Sequence, residues 1–280
     1  MKAETVEVDE ALFEVLSAFS AAAAEVKAPW LVIGATARIM LLEQIYAWPQ
    51  GIGTQDIDFA VQVGDWEHYK LLCEYITKAD VYAAERKPAK RFRSKEDTVF
   101  DLVPYGGVEN EAKQVFWPPD NDDVMTVRGF ESAAKDAVSV IVNQKLKIRV
   151  ASPRGLCTLK FFAWEERHRQ HPGRDAKDIA YLFKHIESLY PPDKLFGDHP
   201  RAVEVADYKI QNAGHYQLGF DVAELIAEED QAFLNELLAI ELKDNEDSVL
   251  CRELHKYTDM QTLEETRNAL HYFYKGLEHA

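Results

Sequence analysis

The sequence predicts an α+β first half followed by an almost wholly helical second half. "WLVIGATARIMLLEQ" reads as a buried strand, a glycine and a helix, and "DIDFAVQV" supplies a further apolar strand. From "SPRGLCTLKFFAWEERHRQ" onward helical spacing takes over. A chain of 280 residues is long enough for two domains, since domains run to roughly 100 to 200 residues. The boundary is expected near residue 151, giving domains 1–151 and 152–280.

Asp9 is placed to cap a helix through "EALFEVLSAFSAAAAEV", where Leu12, Leu16, Phe19 and Ala23 recur at helical spacing and Pro29 marks the end. "WLVI" is then a short buried strand, Gly34 a turn, and "ATARIMLLEQIYAW" a helix that stops before Pro49. A Gly-rich loop leads to the strand "DIDFAVQV", and Asp65 caps the helix "DWEHYKLLCEYITKA". Strand-like segments follow around "KRFRS" and "TVFDLVPY", then a loop with "WPPDNDD", then "VMTV". A hairpin of "AVSVIV" with "KLKIRV" turns at Asn143 and Gln144. Ser152 is the N-cap and Pro153 the first residue of the next helix. Helices continue through "DAKDIAYLFKHIESL", "HPRAVEVADYKIQ", "FDVAELIAEEDQAFLNELLAIEL", "SVLCRELHKY" and "TLEETRNALHYFYKGLE".

With 47% hydrophobic and 29% charged residues, the composition is that of a folded soluble chain and excludes a disordered or fibrous one. "MKAETVEVDE" is no secretory signal, and no apolar run approaches the roughly 18 to 20 residues of a membrane span. A cytoplasmic protein is expected. Cys73, Cys157 and Cys251 lack zinc spacing and are odd in number, so buried thiols are expected. The net charge of -16 opposes long-range attraction to polyanions, so nucleic-acid work would require locally gathered cations. "ERKPAKRFRSK" at residues 85–95 and the stretch Lys160–Lys177 are two such clusters, read either as solvated surface or as phosphate contacts.

Asp56 and Asp58 flank Ile57 at the head of an apolar strand, so both carboxylates share one face while Ile57 and Phe59 take the other. Two carboxylates about 6 to 7 Å apart along a strand repel unless a cation lies between them. A hard divalent ion such as Mg²⁺ suits that pair. Asp120 and Asp122 repeat the interval in "PPDNDDV", where a solvated loop is the reading. Asp101 stands inside the apolar strand "TVFDLVPY", either as a third functional acid or as a capped or edge-strand aspartate. Gly34, between strand and helix, either serves a tight turn or admits phosphate oxygens to the backbone at a helix N-terminus, where Thr36 could add a hydroxyl.

Taken as a set, "IGAT", "TQDID" and the Asp of "VFDLV" resemble the DNA polymerase β-like nucleotidyltransferase superfamily across residues 30–104. The resemblance implies a mixed sheet flanked by helices and followed by a helical domain. It also implies two Mg²⁺ ions on Asp56, Asp58 and Asp101, and an NTP whose triphosphate is gripped by Gly34 and Thr36. "LKFFAWEERHRQHPGRDAKDIAYL" is similar to the helical part of AbiEii-type nucleotidyltransferases, toxins of type IV toxin–antitoxin systems, through Lys160, Arg167 and "RDAKDI". That similarity implies catalytic roles for Lys160 and Asp175, with Asp175 orienting Lys160, and phosphate contacts for Lys160 and Arg167. A tRNA end as acceptor and an antitoxin protein as partner are implied with it.

On a helical wheel Lys160 and Arg167 fall within the apolar arc of their helix, and Asp175 falls between Leu182 and Ile179 with Asp178 at the edge. Snorkelling stems, a first-turn acid, a buried Lys160–Asp175 ion pair and a polar site at the domain junction all satisfy that pattern. Two positions depart from the resemblance: Ile52 stands where an Arg is common, and Arg174 where a Lys is. Residues 200–280 match neither pattern. The expected activity is transfer of an NMP to an acceptor hydroxyl with release of pyrophosphate. Its rivals are a non-catalytic nucleotide-binding module of the same fold and a metal-dependent phosphohydrolase.

Overall fold

The structure, a computed structural model, describes residues 4–54, 56–78, 90–94, 97–243 and 248–280, and residues 82–84 by backbone alone. The chain divides into two units, Met1–Leu156 and Cys157–Ala280.

In the first unit, β1 (Glu4–Val6) and α1 (Glu10–Glu25) lead to β2 (Trp30–Ile33), α2 (Gly34–Arg38) and β3 (Asp56–Val63). Next come α3 (Trp66–Thr77), β4 (Tyr82–Ala84), β5 (Arg91–Ser94) and β6 (Val99–Gly106). The unit continues through β7 (Gln114–Phe116), β8 (Val124–Thr126), α4 (Phe130–Lys135), β9 (Val138–Val142) and β10 (Leu146–Val150). The sheet order is β1-β9-β10-β2-β3-β6-β5-β4, with β7 and β8 paired separately. Parallel pairs (β1 with β9, β10 with β2, β3 with β6) alternate with antiparallel ones as far as β5, whose edge partner β4 is antiparallel again, so the sheet is mixed, as expected.

Period-two alternation sorts the central strands. Ile57, Phe59, Phe100 and Leu102 are buried, while Asp56, Asp58 and Asp101 on the other face keep partial exposure. Phe19 of α1 closes the apolar face, stacked on Phe59 at 4.3 Å with Trp30 edge-on at 5.0 Å, and Phe92 of β5 stacks on Phe100 at 5.2 Å. A one-residue slip of β3 would put both aspartates against these rings, so burial fixes the register. Asp9 and Asp65 cap their helices, accepting from Leu12 N and His68 N at 2.8 Å. Asn143 (φ 47°) and Gln144 (φ 56°), the central residues of the turn that Lys145 N closes on Val142 O at 2.9 Å, both occupy the left-handed region.

The helix after Gly34 departs from expectation. Gly34 is itself the first helical residue, and after Arg38 the chain widens into a π-helical segment, Ile39–Ile45, with Tyr46 N donating to Leu41 O. A buried ion pair joins Arg38 to Glu43, a spacing of five that a wide turn brings together better than an α turn does. β1, β4 and α4 are too short to display a period, and their places are set by tertiary pairing.

The division between units falls inside α5 (Pro153–Arg167). Ser152 Oγ caps this helix by accepting from Gly155 N at 3.0 Å. The second unit adds α6 (Ala176–Lys184), α7 (Ile186–Leu189), α8 (Pro192–Asp198), α9 (Pro200–Val205), α10 (Ile210–Leu225), α11 (Glu228–Lys243), α12 (Val249–His255) and α13 (Leu263–Glu278). The single helix expected over "FDVAELIAEEDQAFLNELLAIEL" is two. α10 ends at Leu225, and Glu228, Glu229 and Asp230 form an acidic first turn that suits a new N-terminus. α10 and α13 approach so closely that a Cβ on Gly219 would stand 1.9 Å from Phe273 O, and one on Gly276 2.0 Å from Tyr216 O.

His215 of α10 is buried, with Nε2 3.3 Å from Phe183 O and Nδ1 without a hydrogen-bond partner. Burial pushes its pKa down to about 4. Between that value and the unfolded value of about 6.5 the unfolded chain binds the extra proton, so stability is full above about pH 6.5 and falls as the pH drops. The loss reaches about 3 kcal/mol at pH 4. Urea midpoints taken from pH 7 to pH 4 should show this slope in the native chain and a flatter one in His215→Gln.

Cys157 and Cys251 are buried as expected; Cys73 is half-buried, its thiol pushed up to about 12 by burial. Among the described residues no helix is long and apolar enough to cross a membrane.

Candidate active site

The parallel register of β3 with β6 makes Asp58 the direct partner of Asp101 and Asp56 the partner of Val99. Like charges opposite one another on adjacent strands are destabilising unless something lies between them. The antiparallel register of β2 with β3 sets Ile33 opposite Asp58, which brings the next residue, Gly34, onto Asp58. A Cβ built on Gly34 would stand 2.2 Å from Asp58 Oδ2, and Gly34 has φ +65°. Both facts demand glycine here. The Asp58 carboxylate packs against the Cα at the mouth of α2.

Thr36 is buried, and its hydroxyl donates to Asp56 O at 3.4 Å. It therefore steadies the head of β3 rather than facing outward as a phosphate ligand. Thr54 donates to Asp56 Oδ1 at 2.6 Å.

Arg91 binds two of the three acids. From β5, where it is the register partner of Asp101, its Nε donates to Asp101 Oδ1 at 2.7 Å and one terminal nitrogen donates to Asp101 Oδ2 at 2.6 Å. That same nitrogen reaches Asp56 Oδ2 at 3.1 Å. Bidentate guanidinium–carboxylate pairing of this kind is geometrically specific. The sequence reading placed Arg91 in a basic surface cluster instead. The signal that identifies it is the alternation Arg91, Phe92, Arg93: buried Phe92 commits Arg91 to the acidic face.

The donor set, three carboxylates around a register pair, has the hard-oxygen chemistry that Mg²⁺ takes. Among the described residues no group of three His, Cys, Asp or Glu side chains is disposed to hold a metal ion with Arg91 in its present place. The Arg91 guanidinium takes both Asp101 oxygens and one of Asp56.

The remaining expected site residues lie in the second unit. Asp175, 2% exposed, accepts from Lys160 at 3.1 Å and from Arg167 at 2.6 and 2.7 Å. Lys160 also pairs with Asp178 at 2.5 Å. Burial alone would raise the Asp175 pKa, but the Arg167 hydrogen bonds and the Lys160 charge outweigh it and hold the carboxyl below its ordinary value. For Lys160 burial acts to lower the pKa, and Asp178 and Asp175 reverse that, holding the ammonium above its ordinary value. The buried Lys160–Asp175 ion pair is present, widened to four charges by Arg167 and Asp178. Asp175 makes no side-chain cap to α6.

Of the basic cluster at residues 85–95, Arg86, Lys87 and Lys95 lie outside the described residues. The others are matched locally. Lys90 pairs with Asp123 at 2.8 Å and sits 5.3 Å from the Trp117 ring centroid, Arg91 holds the acids, and Arg93 meets Asp97 at 3.2 Å.

No protein-family model matches this sequence, and no curated protein matches it. Among solved structures, the antibiotic-resistance factor ANT(2'')-Ia is similar at 13% identity, covering 72% of this chain and 99% of that one with a TM-score of 0.37. A structure of ANT(2'')-Ia with adenylyl-2''-tobramycin overlaps 71% of this chain and 97% of its own at 16% identity, TM-score 0.36. The Thermotoga maritima CCA-adding enzyme complexed with tRNA overlaps 92% of this chain and 69% of its own at 15% identity, TM-score 0.27. Overlaps of this identity and TM-score do not carry an activity over to this chain.

Proposed function

We propose that the first unit is a nucleotidyltransferase that moves an NMP from an NTP to an acceptor hydroxyl. The observation that supports this best is the β3–β6 register, in which Asp58 and Asp101 are direct partners beside the Cβ-less Gly34. In this reading the acceptor oxygen attacks the α-phosphorus, the bond to the bridging oxygen breaks, and pyrophosphate leaves. Asp101 takes the acceptor proton, Asp58 and Asp56 complete the acidic face, and Gly34 gives the Asp58 carboxylate its room at the mouth of α2. Mg²⁺, when bound by Asp58 and Asp101 with Asp56, would offset charge on the attacking and leaving oxygens. Lys160 and Arg167 receive no phosphate in this proposal, because Asp175 and Asp178 already meet their charge.

The acceptor is read as a tRNA end on the resemblance of residues 159–182 to AbiEii-type enzymes, and an antitoxin partner rests on that resemblance alone. A second reading, a nucleotide-binding module without transfer, is favoured by the hold of Arg91 on two of the acids.

One assay separates these readings. The chain is incubated with Mg²⁺, total tRNA and each α-labelled NTP in turn. Label on RNA with an equal amount of pyrophosphate is the expected result. Free labelled NMP would indicate a phosphohydrolase, and NTP binding without turnover the module.

A further inference from the structure

Arg91 has features that a surface arginine lacks. It is the register partner of Asp101, binds it through two nitrogens, and bridges to Asp56. Its side chain is 40% exposed, whereas Phe92 beside it is fully buried against Phe100. The strand is therefore anchored by its apolar face, and the guanidinium can leave the acids without disturbing the core. The acids need a cation: Asp58 faces Asp101 across the register, and Asp56 lies on the same side.

We propose that Arg91 is a built-in counter-cation that competes with a divalent metal ion for Asp101 and Asp56, so that metal binding requires Arg91 to release them. Arg91 then sets the metal affinity, since a site open only part of the time binds more weakly by that fraction. In the metal-free chain it also keeps the acidic face from repelling itself. This inference rests on the metal-assisted reading of the same site and adds a residue outside its acids.

Mn²⁺ binding, followed by the electron paramagnetic resonance signal of free Mn²⁺, tests it without turnover. Native chain, Arg91→Gln, Arg91→Lys and Asp58→Asn are titrated after circular dichroism confirms that each is folded. Arg91→Lys keeps the charge but loses the two-nitrogen grip on Asp101. If Arg91 competes as proposed, both Arg91 variants bind Mn²⁺ roughly tenfold more tightly than the native chain, and Asp58→Asn binds it more weakly. Tightening in Arg91→Gln alone would assign the effect to net charge and overturn competition by the docked guanidinium. Equal affinity in the native chain and both Arg91 variants would overturn it while leaving the metal reading intact. No Mn²⁺ binding by any chain, or undiminished binding by Asp58→Asn, would remove the metal reading and this inference together.

Discussion

Asp58→Asn should lower nucleotidyl transfer by roughly a thousandfold, the scale on which single charge-stabilising groups act in active sites. The substitution keeps the shape that packs against Gly34 and removes only the charge. Because Asp58 is the register partner of Asp101, losing that charge also relieves a like-charge pair. Label transfer from an α-labelled NTP, paired with a thermal melt, checks both halves. Full activity in the variant would remove Asp58 from the chemistry. Lost activity with an unfolded chain would instead make it a structural residue.

Asp175→Ala should cost about 4 kcal/mol, the largest stability effect expected in the second unit, because removing one partner of a buried ion pair strands the others. The carboxylate is 2% exposed and receives three charge-assisted hydrogen bonds, one from Lys160 and two from Arg167. The pH dependence follows from its depressed pKa. The contribution is present above the unfolded value of about 4 and is lost as the pH falls through the lower folded value. Denaturant midpoints of Asp175→Ala and of the pair Lys160→Met with Asp175→Leu test the cluster together. The apolar pair should recover only part of the loss, because Arg167 and Asp178 keep their charges and each loses a partner. An Asp175→Ala variant as stable as the native chain would contradict a stabilising role for the four charges.

The elements that carry the site were legible because their patterns are local. "DIDFAVQV" and "TVFDLVPY" alternate with period two, which assigns Asp56, Asp58 and Asp101 to a face opposite Phe59 and Phe100, and the structure has that alternation. The parallel pairing that makes Asp58 the neighbour of Asp101 is a contact across forty residues of chain, and no local period encodes it. Gly34 was read as a turn or a phosphate approach, whereas its nearest constraint is the side chain of Asp58, which arrives from another strand. Arg91 was hidden for a related reason: four residues of β5 hold too few alternations to separate a strand from a basic surface run. In the second unit the helical wheel put Lys160, Arg167 and Asp175 on inward arcs, and they do meet. The wheel did not exclude Asp178, but neither did it show that Lys160 would contact it.

The central claim is that Asp58 and Asp101 form one cation-dependent face beside Gly34 that handles a triphosphate. A crystal structure of the chain with Mn²⁺ and a non-hydrolysable NTP analogue, phased for manganese anomalous scattering, tests it most directly. The expected result is an anomalous peak coordinated by both carboxylates, phosphate oxygens on the same ion, and the Arg91 guanidinium off Asp101. A structure with the analogue bound elsewhere, no manganese at these acids and Arg91 still on Asp56 and Asp101 would contradict it.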